Sequence, residues 1–363
     1  MTTPTPRPGI LDIKPYVPGS SKAPGAAKVY KLSSNESALG PSPKAMAAYK
    51  ACMEGLHLYP DGSAAALREA IAARYNLDAA RIVCGAGSDE LLQLLAKAYL
   101  GEGDNIVQTR HGFLVYMLAA TSCGAETRFA PERELTADVD AILGEVDART
   151  RIVFLANPNN PTGTYIADAE VRRLRAALRD DILLVVDAAY AEFMEEPDYA
   201  PGDKLVDEFD NIVMTRTFSK IYGLGAIRLG WAYCPAPIAD VLNRIRGPFN
   251  VSAPAIAAGV AAIDDLVFEE ENRRFNARER DVMAKALRSI GLDVTTSYGN
   301  FLLAKFPAES GKTADDVLGA LKKNGVIVRE MGAYGLPDYL RISIGEAEGN
   351  RKAIELISSI INS

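Results

Sequence analysis

The sequence of 363 residues has little histidine: only His57 and His111 are present, which excludes a metal centre built from several histidines. Its four cysteines, Cys52, Cys84, Cys123 and Cys234, are far apart and show no metal-ligand spacing. Each reads as a small apolar core residue and not as half of a disulfide, so a reducing cytoplasm is expected. Positive charge is not in excess. Forty Lys and Arg against 47 Asp and Glu leave a net charge of −7, which disfavours nucleic acid as a partner. A local basic pocket for a small anion remains open. The longest apolar stretch, near 251–263, carries Ser and Pro and is too short to span a bilayer. The opening MTTPTPRPGI lacks the apolar run of a signal peptide, so a cytoplasmic protein without a membrane partner is expected.

What is present is an ordinary soluble composition, 48% hydrophobic and 24% charged. The length exceeds that at which one hydrophobic core stops growing, so two structural parts are expected. Residues 1–40 are rich in Pro, Gly and Ser and read as an extended arm. Between 41 and 263, helical and strand patterns alternate. Ala and Leu recur at helical spacing over 63–75 and 88–100, each behind a serine. Short apolar runs at 81–84, 105–108, 151–156, 182–187 and 212–215 read as buried strands. That alternation predicts an α/β domain with a mainly parallel sheet covered on both faces. From 264 onward the order changes to a long charged helix, a strand, a helix near 314–324 and two more strands. A smaller α+β domain over 264–363, joined by the arm, is expected.

Chemistry concentrates at strand ends. In TRTFSKIYGLGAIRLG (215–230) a strand runs into Ser219 and Lys220 and then a glycine-rich loop with Arg228. A lysine so placed suits imine formation, with its neighbours binding a phosphate; a surface lysine on a glycine loop is the plainer reading. In ILLVVDAAYAEF (182–193) five apolar residues deliver Asp187 to the end of a buried strand. Ligands of open α/β sheets bind there. A buried carboxylate needs a cation or hydrogen bonds, and a pyridinium nitrogen would supply the cation; a turn-capping Asp is the alternative. Tyr190 lies three residues on. FLANPNNPTG (154–163) ends another strand with Asn157 and Asn160 each before a proline, where cis bonds are possible. CGAGSDE (84–90) makes a strand, a glycine turn and a helix start whose N–H groups suit an anion.

GAGSDE, NPNNPTG, VVDAAYAEF, FSKIYGLGAIRLG and LRISIG stand in the order of the fold-type I aminotransferases of class I/II, which the chain resembles. KPYVPG, KLSSNES, LYPDG, HGFLVY and GVIVREM resemble the branch of that family acting on histidinol phosphate, so the likeness covers nearly the whole chain. It implies a large domain with a mainly parallel seven-stranded sheet between helices, and pyridoxal 5′-phosphate (PLP) as cofactor, with no metal. By this resemblance Lys220 holds the cofactor as an imine and shuttles the proton. Asp187 pairs with the pyridine nitrogen, and Asn157 and Tyr190 bond the ring's phenolic oxygen. Gly87, Ser88, Asp89, Thr217, Ser219 and Arg228 surround the phosphate, and Phe113 stacks on the ring. Tyr59 reaches the phosphate of the neighbouring subunit, implying a homodimer. Arg341 grips the substrate's acidic end, and Tyr16, Asn35 and Arg329 line the substrate pocket; Arg329 also suits a structural ion pair.

A lysine with a lowered pKa fits this chemistry, and burial beside Arg228 would lower it. His111 reads as a loop residue, and Tyr222 as packing for the lysine loop. Gly225-Ala226 reverses the family's more usual Ala-Gly. The partners implied are an amino donor and a 2-oxo acid acceptor: L-histidinol phosphate and 2-oxoglutarate first, an aromatic amino acid as alternative donor. A PLP decarboxylase of phosphorylated amino acids would use the same lysine and aspartate. A cofactor-sensing regulator would need a DNA-binding module, and none is recognisable before Lys14. A nucleotide-binding Rossmann protein would need a further glycine that GAG lacks.

Overall fold

The computed structural model describes residues 6–7, 9–13, 23, 25 and 28–363. Tyr16, and with it the expectation that it lines a substrate pocket, lies outside the described residues. The strands are β1 (Tyr30–Lys31), β2 (Ile82–Gly85), β3 (Asn105–Thr109), β4 (Glu126–Ala130), the hairpin β5 (Glu132–Arg133) and β6 (Thr136–Ala137), β7 (Thr150–Ala156), β8 (Leu183–Asp187), β9 (Ile212–Thr217) and β10 (Gly230–Tyr233). The last part adds β11 (Asp293–Val294), β12 (Phe301–Lys305), β13 (Val326–Ile327), β14 (Arg329–Glu330) and β15 (Tyr339–Ser343).

A seven-stranded sheet in the order β2-β10-β9-β8-β7-β3-β4 forms the centre, parallel except for β10, which runs against β2 and β9. Its inner strands bury both faces, because successive side chains alternate. Leu184 and Val186 of β8 enter one apolar layer with Met214 and Trp231. Leu183 and Val185 enter the other, with Phe154, Tyr116 and Val213. Each of the five apolar runs expected to be strands lies in this sheet. The edge strand β4 and the antiparallel β10 were not expected; ETRFA is half polar, and GWAY is short and follows a glycine loop.

A second core joins Leu302, Ile342 and Ile344 to Met283 and Leu287 of the helix Leu266–Ser289 and to Ile357 of the helix Ala347–Ile361. It sits on an antiparallel sheet ordered β11-β12-β15-β14. β1 pairs in parallel with β13, and Tyr30 and Leu32 are buried in this core. The last helix was not read from the sequence. The helix expected from Ser63 begins at Ala65 instead, with Ala64 as its N-cap, and the Asp61 carboxylate accepts the Ala65 N–H at 2.7 Å.

Candidate active site

The carboxyl ends of β7, β8 and β9 open on one cavity of about 260 Å³, lined among others by Asp187, Tyr190, Thr217 and Lys220. This is the sheet position where α/β proteins bind ligands. Asp187 is the last residue of β8 and is only 4% exposed. Its carboxylate accepts from the Tyr116 hydroxyl at 2.7 Å and the Thr215 hydroxyl at 3.1 Å. Burial pushes its pKa up to about 6 despite those two donors. Tyr116 stacks on Phe154 at 4.7 Å and meets Phe113 edge-on at 5.7 Å. Neither Tyr116 nor Thr215 was singled out from the sequence. Tyr116 lies one helical turn past Phe113 in HGFLVY, the only signal available.

Lys220 follows β9 in a turn, and its Nζ donates to the Ser34 carbonyl at 3.4 Å. Burial, then Arg341, pushes its pKa down to about 8, with Asp89 and Glu36 opposing and Arg228 adding to the fall. Tyr190 is buried, its hydroxyl pushed up to about 12 chiefly by that burial.

The third cluster lies at the start of the helix Ser88–Tyr99. Gly87 has φ +85°, and a Cβ there would stand 2.5 Å from Arg228 Nη2. A Cβ on Gly230 would stand 2.3 Å from the Ser88 nitrogen. Only bare backbone fits this cradle. Arg228, itself at φ 54°, reaches over it to Asp89 at 3.1 Å and Ser219 at 3.3 Å. Thr217 accepts the Ser219 N–H at 3.1 Å and so shapes the turn.

The sequence is corrected at Asn157. Both Asn157–Pro158 and Asn160–Pro161 are cis. The Asn157 amide turns away from the cavity and is held by Ile166, accepting its N–H at 2.9 Å and donating to its carbonyl at 3.0 Å. Asn160 lines the cavity in its place and accepts from Arg341 at 2.5 Å. Asn35 also departs from expectation. It is 1% exposed and stands behind Tyr190, donating to that hydroxyl at 2.9 Å. Arg341 further donates to the Ser33 carbonyl at 2.9 Å, and Arg329 lies directly opposite it across β14 and β15. Tyr59 is 83% exposed and stacks on Phe249 at 4.7 Å, away from the cavity of its own chain. His111 forms a close pair with Glu132 at 2.7 Å, in keeping with a loop residue held in place. Tyr222 is buried and bonds the Tyr75 hydroxyl at 2.8 Å. Among the described residues no group of His, Cys, Asp or Glu is placed to hold a metal ion, and no helix is long and apolar enough to cross a membrane.

The donor set fits one kind of group. A glycine cradle with helix N–H groups and Arg228 suits a phosphate. A buried carboxylate held by neutral donors suits a cationic ring nitrogen. An amine titrating near neutrality suits an aldehyde. A phosphorylated pyridine aldehyde has all three features.

Fold and site together define a PLP-dependent transferase, and the chain belongs to the aminotransferase class I and II family, whose model matches residues 27–357. It is 54% identical to the histidinol-phosphate aminotransferase of Paramagnetospirillum magneticum over 99% of both chains. It is 55% identical to that of Maricaulis maris over 98% of both. Among solved structures, it resembles the histidinol-phosphate aminotransferase of Sinorhizobium meliloti in complex with pyridoxal-5′-phosphate, with a TM-score of 0.87, 26% identity and 92% of both chains covered.

Proposed function

We propose that this aminotransferase moves the amino group of L-histidinol phosphate to 2-oxoglutarate, giving imidazole acetol phosphate and L-glutamate. The observation that carries this reading is the likeness of the chain, over nearly its full length, to relatives named histidinol-phosphate aminotransferase. Histidinol phosphate offers a phosphate where an amino acid offers a carboxylate, and Arg341 and Arg329, register partners on β15 and β14, are the cations assigned to it.

When bound, PLP supplies an electron sink for the substrate's reacting carbon. Asp187 would hold the ring nitrogen protonated, and Tyr190 and Asn160 would face the ring's oxygen. The start of the helix Ser88–Tyr99, with Ser219 and Arg228, would hold the phosphate, and Phe113 would cover the ring. Burial and then Arg341 push the Lys220 pKa down to about 8, which suits its Nζ to carry a proton between substrate carbon and cofactor. Arg341, anchored by Asn160 and Ser33, fixes the substrate's acidic end. The chain is taken as an arm (1–40) completing the second domain (264–363), beside a cofactor domain (41–263). The exposed Tyr59 is assigned to the active site of a second copy in a homodimer acting in the cytoplasm. Mixing inactive Tyr59 and Lys220 variants should then restore activity that neither has alone; no recovery would refute the shared site.

The deciding experiment mixes the PLP-loaded protein with L-histidinol phosphate, and separately with L-phenylalanine, without any oxo acid. Bleaching of the yellow absorption at low histidinol phosphate is expected. Bleaching by phenylalanine alone would move the enzyme to aromatic amino acids. No bleaching with either would overturn the proposal.

A further inference from the structure

Behind Tyr190 four buried residues form a continuous hydrogen-bond chain. Asn300 Nδ2 donates to the Asn35 carbonyl at 3.0 Å. The Asn35 N–H donates to Ser343 Oγ at 2.8 Å, and Ser343 Oγ donates to Asn35 Oδ1, also at 2.8 Å. Asn35 Nδ2 then donates to the Tyr190 oxygen at 2.9 Å. Asn35 itself is held at φ 55°, and none of the four is more than 3% exposed.

The chain has a direction. A serine hydroxyl carries one proton. Here it goes to Asn35 Oδ1, while the serine oxygen accepts the Asn35 backbone N–H. The amide therefore presents nitrogen, not oxygen, to Tyr190. Turning the amide over would strand the Ser343 proton in a buried site, which is costly. Because the Tyr190 oxygen already accepts from Asn35, its own proton must point elsewhere, and Tyr190 lines the cavity beside Lys220.

We propose that Ser343 and Asn35 are positioning residues that fix Tyr190 as a hydrogen-bond donor toward the cofactor's ring oxygen. This rests on the placement of Tyr190 at that oxygen under the proposed function. It gives Asn35 a role different from the substrate contact expected of it. The ionisable groups facing Tyr190 are Arg341 from β15, Tyr334 from the turn Gly332–Tyr334, Asp187 from β8, and Lys220, whose Nζ lies 5.8 Å from the ring centre. Replacing Ser343 changes none of these charges.

A hydrogen bond donated to the ring oxygen favours its negative form, so the chromophore joining Lys220 to the cofactor should lose its proton at a lower pH. The test is a pH titration of that visible absorption in PLP-loaded protein. Tyr190→Phe should raise the midpoint by roughly one pH unit and Ser343→Ala by about half a unit. Ser343→Thr, which keeps the hydroxyl, should keep the native midpoint. Ser343→Ala should add nothing once Tyr190 is Phe. An unchanged midpoint in Ser343→Ala, or an equal shift without the Tyr190 hydroxyl, would overturn the proposal. Should Ser343→Ala fail to fold, Asn35→Asp serves instead. Its carboxylate would accept the Tyr190 proton and raise the midpoint to the Tyr190→Phe value or beyond; a native midpoint would overturn the proposal. Borohydride reduction of the wild type that leaves no cofactor on Lys220 would instead refute the cofactor reading, and this inference with it.

Discussion

Strand β9 presents two faces with opposite electrostatic designs. On one face Arg216 pairs with Glu192 at 2.9 Å, both nearly fully buried. Tyr75 and Trp231 lie against its guanidinium at 4.2 and 5.5 Å. On the other face Thr215 helps to hold Asp187, and Tyr116 provides the second donor, also neutral. The first charge meets a full counter-charge within the chain. The second is held by two neutral hydroxyls, which suits the cationic ring nitrogen that the proposed function assigns to it. Adjacent residues of one strand thus separate a buried ion pair from the face assigned to the cofactor.

The comparison is broken most severely at Lys220. Lys220→Ala should lower turnover roughly 10⁴-fold or more, measured as steady-state rate with PLP present. Unimpaired turnover would refute the assignment. On the closed face, Glu192→Ala should destabilise the protein by about 3–5 kcal/mol, because Arg216 is left buried without its partner. Urea unfolding checks this, and a change under 1 kcal/mol would mean that the two faces do not differ.

On the open face the sign reverses. The folded cofactor-free protein holds the Asp187 pKa above the unfolded value, at about 6 against 3.8. A raised carboxylate pKa favours folding less as pH climbs through that window, and the penalty is complete above about pH 6. Asp187→Asn should therefore stabilise the cofactor-free protein at neutral pH by up to about 3 kcal/mol, while crippling turnover. Thermal unfolding without PLP reads the first effect, and a loss of stability would count against it. The smallest effect is on binding. With Asp187 assigned to the ring nitrogen under the proposed function, PLP affinity should fall below about pH 6, by at most about tenfold per pH unit. Equilibrium dialysis at two pH values decides this, and Asp187→Asn should flatten the trend.

The open face was largely legible in the sequence because chain punctuation marks it. Lys220 and Asp187 both follow apolar runs, and the sheet delivers both run ends to one cavity. Asn157 and Asn160 were not separable, since each precedes a proline in the same short loop; what distinguishes them is that Ile166 folds back onto one of them. The closed face was nearly invisible. Arg216, Glu192 and Tyr75 come from distant segments with no spacing to connect them, and only the packed sheet brings them together. Asn35 was noticed but its contacts were not, because its partners Tyr190 and Ser343 lie 155 and 308 positions away.

The pairing of β1 with β13 carries a consequence for the order in which the protein is made. Ser33 and Ser34, just past β1, supply the carbonyls that receive Arg341 and Lys220. Arg341 and Ser33 are separated by 308 positions. During synthesis the central sheet can form while β1 still has no neighbour, since such distant contacts close late. The pocket therefore gains its last residues only after the central sheet has been made, and a chain stopped short of β15 would carry Lys220 and Asp187 without Arg341.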